Sequence, residues 1–304
     1  MKIHKSAAAA CAAAGLLALT ACSSESPSVS AGPATSAGGA AVVDQAAAAC
    51  SSVAQKYPGL KGKTINVGSN PGLNYYDYVD EANPSKVVGL EPDLVGAVSK
   101  CLGFTVNYQK MDFNGLIPAL TSNRIDLITS GMYATPERAK QVNFVSYMKA
   151  AEAAVVRKGN PKKITSLDTL CGTSVAQITG TVEVEIAAKQ DAKCKAEGKP
   201  GIKFSNYTNN TQLTQSLGQG RADVFLTDAG VAAYIAKQFP TLEKGFDLVT
   251  DFQFGIGVNK KNQELLNGVA DSMKALHEKG QVAAIAQKWG FSKEQVVAPA
   301  AVTG

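Results

Sequence analysis

Hydrophobic and polar residues along the chain follow two different periods. Short runs with every second residue apolar, such as 64–68 and 104–108, predict strands, because successive side chains of a strand point to opposite faces. Apolar residues three and four positions apart, as in 265–279 and 282–289, predict amphipathic helices. The two patterns follow one another through most of the chain, which predicts an α/β fold with mostly parallel sheets.

Residues 111–138 are the most informative stretch. Helical spacing of apolar residues predicts a helix over 113–120, and residues 125–129 predict a short buried strand that Ser130-Gly131 interrupts. Thr135 and Pro136 are typical of a helix start, as the N-cap and the first helical position. Ligands of open α/β sheets bind where the carboxyl end of a strand opens into such a loop and helix.

Arg138 falls in the first turn of that helix, where the helix dipole disfavours a cation. The arginine is therefore either a solvated residue, paired with Glu137 or Glu152, or it is directed at an anionic ligand. The sequence by itself leaves both possibilities open.

The same stretch resembles the extracellular solute-binding proteins of family 3, the amino-acid receptors of ABC importers. The resemblance lies in an aromatic-x-x-Leu-Ile-Pro-Ala-Leu segment at 113–120, in Asp126, and in Gly-Met-x-x-Thr-Pro-Glu-Arg at 131–138. A weaker similarity extends from about residue 63 to residue 291.

The resemblance implies a two-lobed, periplasmic-binding-protein-like clamp with two hinge crossings. Each lobe is expected to contain a mixed, mostly parallel sheet flanked by helices. Residues 45–150 would form the first part of lobe 1 and 151–248 would form lobe 2. Residues 249–304 would return to lobe 1 and end in a C-terminal tail. A cleft between two such lobes is a common place for a ligand.

The first residues are typical of an export signal. Lys2 and Lys5 precede an apolar core at 7–19, and Leu-Thr-Ala-Cys at 19–22 resembles the lipobox of bacterial lipoproteins. This predicts a signal peptide at 1–21, lipidation of Cys22, and a flexible tether at 22–44 rich in Ser, Ala, Gly and Pro. The mature protein would then lie on the outer face of the cell membrane. The alternative is an ordinary secretory signal cut nearby, with Cys22 incidental.

Charge and cysteine content exclude some classes of protein. The formal net charge is +5, and +3 once Lys2 and Lys5 are removed, which is too mild to indicate nucleic-acid binding. Of six cysteines, Cys11 leaves with the signal and Cys22 carries lipid. The others are too widely spaced for a CxxC zinc site, so the sequence predicts neither a metal nor a cofactor.

The remaining four cysteines predict two disulfides in an exported protein. Sequence alone permits three pairings. We favour Cys50–Cys101 and Cys171–Cys194, because each pair would fall within one expected lobe.

The resemblance also implies roles for individual residues. Arg138 would hold the ligand α-carboxylate, since its planar fork matches two oxygens, and backbone groups of Gly131 and Tyr133 would assist. Asp228, after the Gly-Arg-x-Asp segment at 220–223, would take the α-ammonium; the alternative is that it only caps a helix. Thr181 and Val182 open a helix whose N–H groups could share the carboxylate, unless this is an ordinary glycine loop.

Other residues would contact the ligand side chain. Cation-selective relatives carry an aspartate where this chain has Asn70, so we predict a neutral polar or aromatic side chain over a basic one. Glu91 and Asp77 weaken this prediction, because either could supply an anion. The expected wall consists of Asn70, Tyr75, Phe113, Tyr133 and Ile178, with Thr227 beside them.

Two functional classes follow. The favoured one is a monomeric, lipid-anchored, non-enzymatic receptor that captures a free amino acid or a close derivative and delivers it to ABC permease subunits, without nucleic acid. The second is an exported, dehydratase-like enzyme on the same scaffold, with a cleft carboxylate as general acid. After signal removal His277 is the remaining histidine, and it lies in a predicted helix of lobe 1, which favours the receptor.

Overall fold

The computed structural model describes residues 50, 52–72 and 76–304 of the chain. The predicted signal peptide, the tether, the lipidation site Cys22 and the predicted wall residue Tyr75 lie outside the described residues. No helix within the described ranges is long and apolar enough to cross a membrane.

The first sheet, here called the lobe 1 sheet, has six strands. In spatial order they are β13 (Val296–Val302), β6 (Asn143–Lys149), β12 (Gln253–Val258), β5 (Leu127–Ile128), β1 (Thr64–Ser69) and β4 (Thr105–Lys110). A separate hairpin joins β2 (Tyr78–Val79) and β3 (Val87–Val88). The central strand β1 is parallel to both of its neighbours. The ends of β1 and β5 therefore open onto the same edge of the sheet.

Helices flank the lobe 1 sheet. They are α1 (Val53–Lys56), α2 (Leu90–Leu102), α3 (Leu116–Thr121), α4 (Pro136–Ala139), α8 (Gln263–Glu278) and α9 (Gln281–Lys288). The predicted amphipathic pattern of α8 is confirmed, because Leu265, Val269, Met273 and Leu276 are buried on one face. The start of α4 is also as predicted: Thr135 is its N-cap, and the Thr135 hydroxyl accepts the Arg138 N–H at 3.3 Å.

The second sheet, here called the lobe 2 sheet, has five strands. In spatial order they are β11 (Leu242–Leu248), β7 (Glu152–Arg157), β10 (Val224–Asp228), β8 (Ser174–Ile178) and β9 (Lys203–Tyr207). Its helices are α5 (Val182–Ala196), α6 (Asn210–Gly218) and α7 (Ala229–Gln238). A separate apolar core that includes Val156, Leu170, Val175 and Val224 lies on this sheet.

The chain passes twice between the two sheets. It leaves the first sheet at Lys149 and enters the second at Glu152, and it returns between Leu248 and Gln253. The predicted α/β clamp with two crossings is therefore confirmed.

The predicted mixed character of the sheets is confirmed, but the proportion of parallel pairs is smaller than predicted. Within the described part of the chain, four of the nine pairings in the two sheets are parallel. The strands that carry the chain between the sheets, β6, β7 and β12, run antiparallel to their partners. The expected C-terminal tail contains β13, a strand that the sequence analysis did not predict.

Both favoured disulfides are present. Cys50 joins Cys101 at the end of α2, with Cα atoms 5.4 Å apart, and Cys171 joins Cys194 in α5, with Cα atoms 5.6 Å apart. Each bond fixes a helix that packs on one sheet, so neither bond crosses between the two sheets.

Candidate functional site

A cavity of about 70 Å³ lies between the edges of the two sheets. Nine of the ten predicted binding residues line it: Asn70, Phe113, Gly131, Tyr133, Arg138, Ile178, Thr181, Val182 and Asp228. This volume is well below the roughly 300–1,000 Å³ that is typical of small-molecule sites. The cleft is therefore closed too far to admit an amino acid unless the lobes move apart.

A wider groove of about 490 Å³ lies at the mouth of the cleft. Its walls come from both lobes, with Lys110 and Asp112 on one side and Asn209 and Gln212 on the other. Asn70 lines both the groove and the inner cavity, so the two spaces adjoin.

Arg138 reaches across the cleft from α4. Its Nη1 donates to the Tyr133 carbonyl oxygen at 2.9 Å, and its Nη2 donates to the Gly180 carbonyl oxygen in lobe 2 at 3.1 Å. The residue is 9% exposed, and burial lowers the pKa of the guanidinium. A guanidinium has five N–H donors, so three remain for a ligand. The alternative ion pair with Glu137 or Glu152 is not formed.

Asp228 faces Arg138 from lobe 2, at the end of β10. Its Oδ1 accepts three hydrogen bonds: from the Gly230 and Val231 N–H groups at 2.8 and 3.2 Å, and from the Tyr76 hydroxyl at 2.9 Å. Its Oδ2 makes no hydrogen bond with the residues that the structure describes. Asp228 is thus the N-cap of α7, the alternative that the sequence left open, and it also keeps one oxygen for a cation.

Burial raises the pKa of Asp228 to about 6, although the Tyr76 hydroxyl and the two N–H groups oppose the increase. The carboxyl is 7% exposed. It is therefore mostly ionised at neutral pH, as an acceptor for an ammonium group must be.

One backbone group of the loop expected to assist carboxylate binding is already engaged within lobe 1. The Gly131 N–H donates to Glu91 Oε2 at 2.7 Å. Glu91 is fully buried in the first turn of α2, and such a carboxyl requires donors. The Tyr147 hydroxyl supplies the second donor at 2.9 Å.

Glu91 and Asp77 do not line the cavity, although the sequence analysis considered both as a possible source of an anion. Asp77 is fully buried and accepts hydrogen bonds from the Ser69 and Ser130 hydroxyls. Burial raises the pKa of Asp77 to about 7 and that of Glu91 to about 8. Both acids hold loops of lobe 1 in place through these hydrogen bonds, without lining the cavity.

The Tyr133 ring narrows the cleft. It stacks on Phe252 at a centroid distance of 5.3 Å, meets Phe254 edge-on at 4.9 Å, and is 5% exposed. The Phe113 ring lies against Arg138, with the guanidinium carbon 5.6 Å from its ring centroid. At this distance the ring attracts the cation electrostatically.

Asn70, Thr181 and Gly180 define the remaining walls. The Asn70 amide donates to the Met111 carbonyl oxygen at 2.9 Å, which holds its side chain in place. The Thr181 N–H and hydroxyl both bond the Ile178 carbonyl oxygen, so this N–H is engaged within its own turn. A Cβ on Gly180, whose φ is +88°, would lie 2.9 Å from the Asn114 Cβ across the cleft.

Residues 65–293 match the family model of bacterial extracellular solute-binding proteins, family 3. The chain belongs to this family. A curated relative is the arginine-binding extracellular protein ArtP of Bacillus subtilis (strain 168), 30% identical over 246 residues, which cover 79% of this chain and 91% of that protein.

Two solved structures are similar as well. An ancestral arginine-binding protein bound to arginine has a TM-score of 0.69 and 34% identity, covering 76% of this chain and 99% of that chain. The ancestral amino-acid-binding protein AncCDT-1, a precursor of cyclohexadienyl dehydratase, has a TM-score of 0.66 and 31% identity, covering 74% and 95%.

Six residues that line the cavity were not predicted from the sequence: Tyr76, Ser130, Glu183, Asn210, Val231 and Phe254. The adjacent tyrosines 75 and 76 were the available signal, but sequence does not tell which ring points inward. Glu183 in the first turn of α5 has the pattern of an acid that complements the helix dipole. No group of three or more potential metal ligands occurs within the described ranges.

Proposed function

We propose that the protein is the ligand-capturing component of an amino-acid ABC importer and that it works as a monomer. Arg138 in lobe 1 binds the α-carboxylate, and Asp228 in lobe 2 binds the α-ammonium. The observation that carries this proposal is the pair itself. Among the residues that the structure describes, a guanidinium without an ion pair and a carboxyl with a free oxygen, both buried, line the same cavity from opposite lobes. A zwitterion would satisfy both.

Two different parts of the cavity wall are available to contact the ligand side chain. Asn70, Phe113 and Ile178 support the neutral polar or aromatic class that the sequence favoured. Glu183 at the wall, with Glu152 close to it, supports a basic side chain instead. We propose the basic class, because the Asn70 amide is already bonded to Met111, whereas the groups that surround Glu152 among the described residues include no cation. ArtP and the ancestral protein, both arginine-binding, agree with this choice.

We propose that residues 1–21 are removed on export and that lipid on Cys22 anchors the mature chain through the 22–44 segment. The lobes proposed are 45–150 with 249–304, and 151–248. Intact-mass measurement of the membrane-extracted protein tests the anchor, and replacing Cys22 by alanine should release the protein into the medium.

A dehydratase activity is the second candidate, because one similar structure is described as a precursor of such an enzyme. The acids that the sequence considered for catalysis, Asp77 and Glu91, lie behind the cavity wall, and His277 lies in α8 of lobe 1. We therefore propose binding without turnover.

Thermal denaturation with each of the twenty amino acids tests the function, since a ligand that binds only the folded state must raise Tm. Calorimetry with the best ligand then separates the two classes: a stoichiometric heat that stops at saturation supports a receptor, and a continuing heat indicates an enzyme. If no amino acid shifts Tm, the proposal is wrong.

A further inference from the structure

Glu152 is a buried carboxyl group that no cation compensates among the described residues. It is the first residue of β7 and is 0% exposed. Neither Oε1 nor Oε2 has a hydrogen bond of regular geometry within the described part of the chain, and its polar neighbours are the Tyr133 hydroxyl and the Glu183 carboxyl. Buried carboxyls are nearly always hydrogen-bonded, because an unpaired buried charge is very unfavourable.

The strand register places the Glu152 side chain on the cavity side of the lobe 2 sheet. In the antiparallel pairing of β7 with β10, Glu152 lies directly opposite Asp228. Directly opposed residues of antiparallel strands have their side chains on the same face. Since Asp228 lines the cavity, Glu152 is directed toward the same region, behind the surface that Asp228 and Glu183 form.

The groups that face Glu152 are Glu183 from α5, Tyr133 from the lobe 1 loop and Asp228 from β10. None of them is a cation. Burial and the neighbouring Glu183 raise the pKa of Glu152, and burial raises the pKa of Glu183 as well. Arg138 is the cation nearest to Glu183, but its assigned bonds go to the carbonyls of Tyr133 and Gly180.

The α-carboxylate and α-ammonium of a bound amino acid would neutralise only part of the charge in the site. The ligand carboxylate takes up the charge of Arg138, and the ligand ammonium takes up that of Asp228. Glu152 and Glu183 then remain together without a cation. A zwitterion with a neutral side chain adds no net charge, so it leaves this excess of negative charge unchanged.

We propose that Glu152 and Glu183 form a carboxyl pair that receives a second cationic group of the ligand, so that the site takes a basic amino acid in exchange for a proton. This inference rests on the proposed amino-acid function and names its ligand class. The ligand cation contacts Glu183 at the cavity wall, and Glu152 behind it adds the second negative charge.

The proton exchange follows from the proximity of the two carboxyls. Two carboxyls at one buried site resist simultaneous ionisation, so the ligand-free pair retains a proton. A ligand cation stabilises the doubly ionised pair, and the proton passes to the buffer. No bond other than this O–H bond breaks.

L-arginine and L-citrulline provide the test, because citrulline replaces the guanidinium with a neutral urea group of nearly the same shape. Titration calorimetry of the full mature chain at pH 7, in two buffers that differ in ionisation enthalpy, gives both affinity and proton release. We expect arginine to bind at least tenfold more tightly than citrulline. We also expect arginine to release up to one proton and citrulline none.

The variant Glu152→Gln keeps the size of the side chain and removes its charge. It should reduce the arginine-to-citrulline ratio at least fivefold and abolish proton release, while citrulline affinity changes less than threefold. Glu183→Gln should act in the same direction, and it provides the measurement if the first variant does not fold. Glu197→Gln is the matched control, since Glu197 is an exposed residue at the C-terminal end of the same helix; it should change neither quantity.

Two results would overturn the inference. If citrulline or glutamine binds as tightly as arginine, and Glu152→Gln leaves the ratio and the proton count unchanged, the pair is not a ligand subsite, although the amino-acid receptor stands. If no free amino acid binds the wild-type protein at all, the proposed function fails, and this inference fails with it.

Discussion

The Tyr76 hydroxyl donates a hydrogen bond to Asp228 Oδ1 at 2.9 Å, and this bond joins lobe 1 to lobe 2 at the centre of the cleft. It occupies Oδ1, and Oδ2 has no hydrogen bond with the residues that the structure describes. It also favours the ionised form of Asp228, whose pKa burial raises to about 6.

This bond leads to a prediction about pH. Since an ammonium binds the ionised carboxylate, ligand affinity should fall by about tenfold per pH unit below pH ~6, where the free protein takes up a proton. Tyr76→Phe removes the hydroxyl, raises the pKa of Asp228, and should move the fall in affinity to higher pH. Calorimetry between pH 5 and 8 measures this. Tyr207→Phe is the control, because that hydroxyl bonds Ser216 in lobe 2. Coincident profiles for Tyr76→Phe and wild type would contradict the role of this bond.

Arg138→Ala should weaken amino-acid binding by at least about 2 kcal/mol, because a charge-assisted pair with the ligand carboxylate is lost. Arg124→Ala removes an exposed arginine of the same lobe and should leave affinity unchanged. Titration calorimetry of the three proteins with the best ligand gives the difference. Equal affinity of Arg138→Ala and wild type would show that another group holds the carboxylate.

Glu91 should make the protein less stable as pH rises. Burial raises its pKa from 4.5 to about 8, so the folded protein retains a proton that the unfolded chain has lost between those values. The free energy of unfolding should therefore fall between pH ~4.5 and 8, by up to about 1.4 kcal/mol per pH unit from this group.

Glu91→Gln imitates the protonated acid, so the free energy of unfolding of the variant should depend less on pH. The stability of the variant relative to wild type should therefore be greatest at pH 8. Chemical denaturation at pH 5, 6.5 and 8 measures the effect. Glu137→Gln, at an exposed position, is the control. Parallel slopes for Glu91→Gln and wild type would mean that Glu91 is ionised in the folded protein.

Each disulfide should stabilise the fold by closing a loop, which lowers the conformational entropy of the unfolded chain. With sequence separations of 23 and 51, loop entropy predicts a loss of about 3 kcal/mol for the paired alanine replacement of Cys171 and Cys194, and about 4 kcal/mol for that of Cys50 and Cys101. Urea denaturation gives these values, and mass mapping after non-reducing digestion gives the pairing. A fragment that links Cys101 to Cys171 would refute it.

Motif and periodicity predicted the part of the site that local sequence determines. Thr135 and Pro136 begin a helix in any context, so the place of Arg138 follows from its own neighbours. The place of Asp228 also follows from its own neighbours. It ends a strand and begins a helix, and such an N-cap residue lies at the edge of the sheet.

The rest of the site depends on distant partners. Glu152 lies opposite Asp228 only because β7 pairs with β10 in one register, and a shift by one residue would turn its side chain away. The bond from the Gly131 N–H to Glu91 could not be predicted from the sequence, because Glu91 lies 40 residues earlier. The strand β13 has little alternation and depends on β6 for its pairing.

Gly180 and Asn114 meet across the cleft with no room for a Cβ on the glycine. This contact acts as a mechanical stop, since it fixes how far the lobes can approach each other. A molecule that is too bulky to fit behind it holds the two residues apart, whatever its charge. The width of the gap between Gly180 and Asn114 would then depend on the size of the ligand, independently of Arg138 and Asp228, the proposed binding groups.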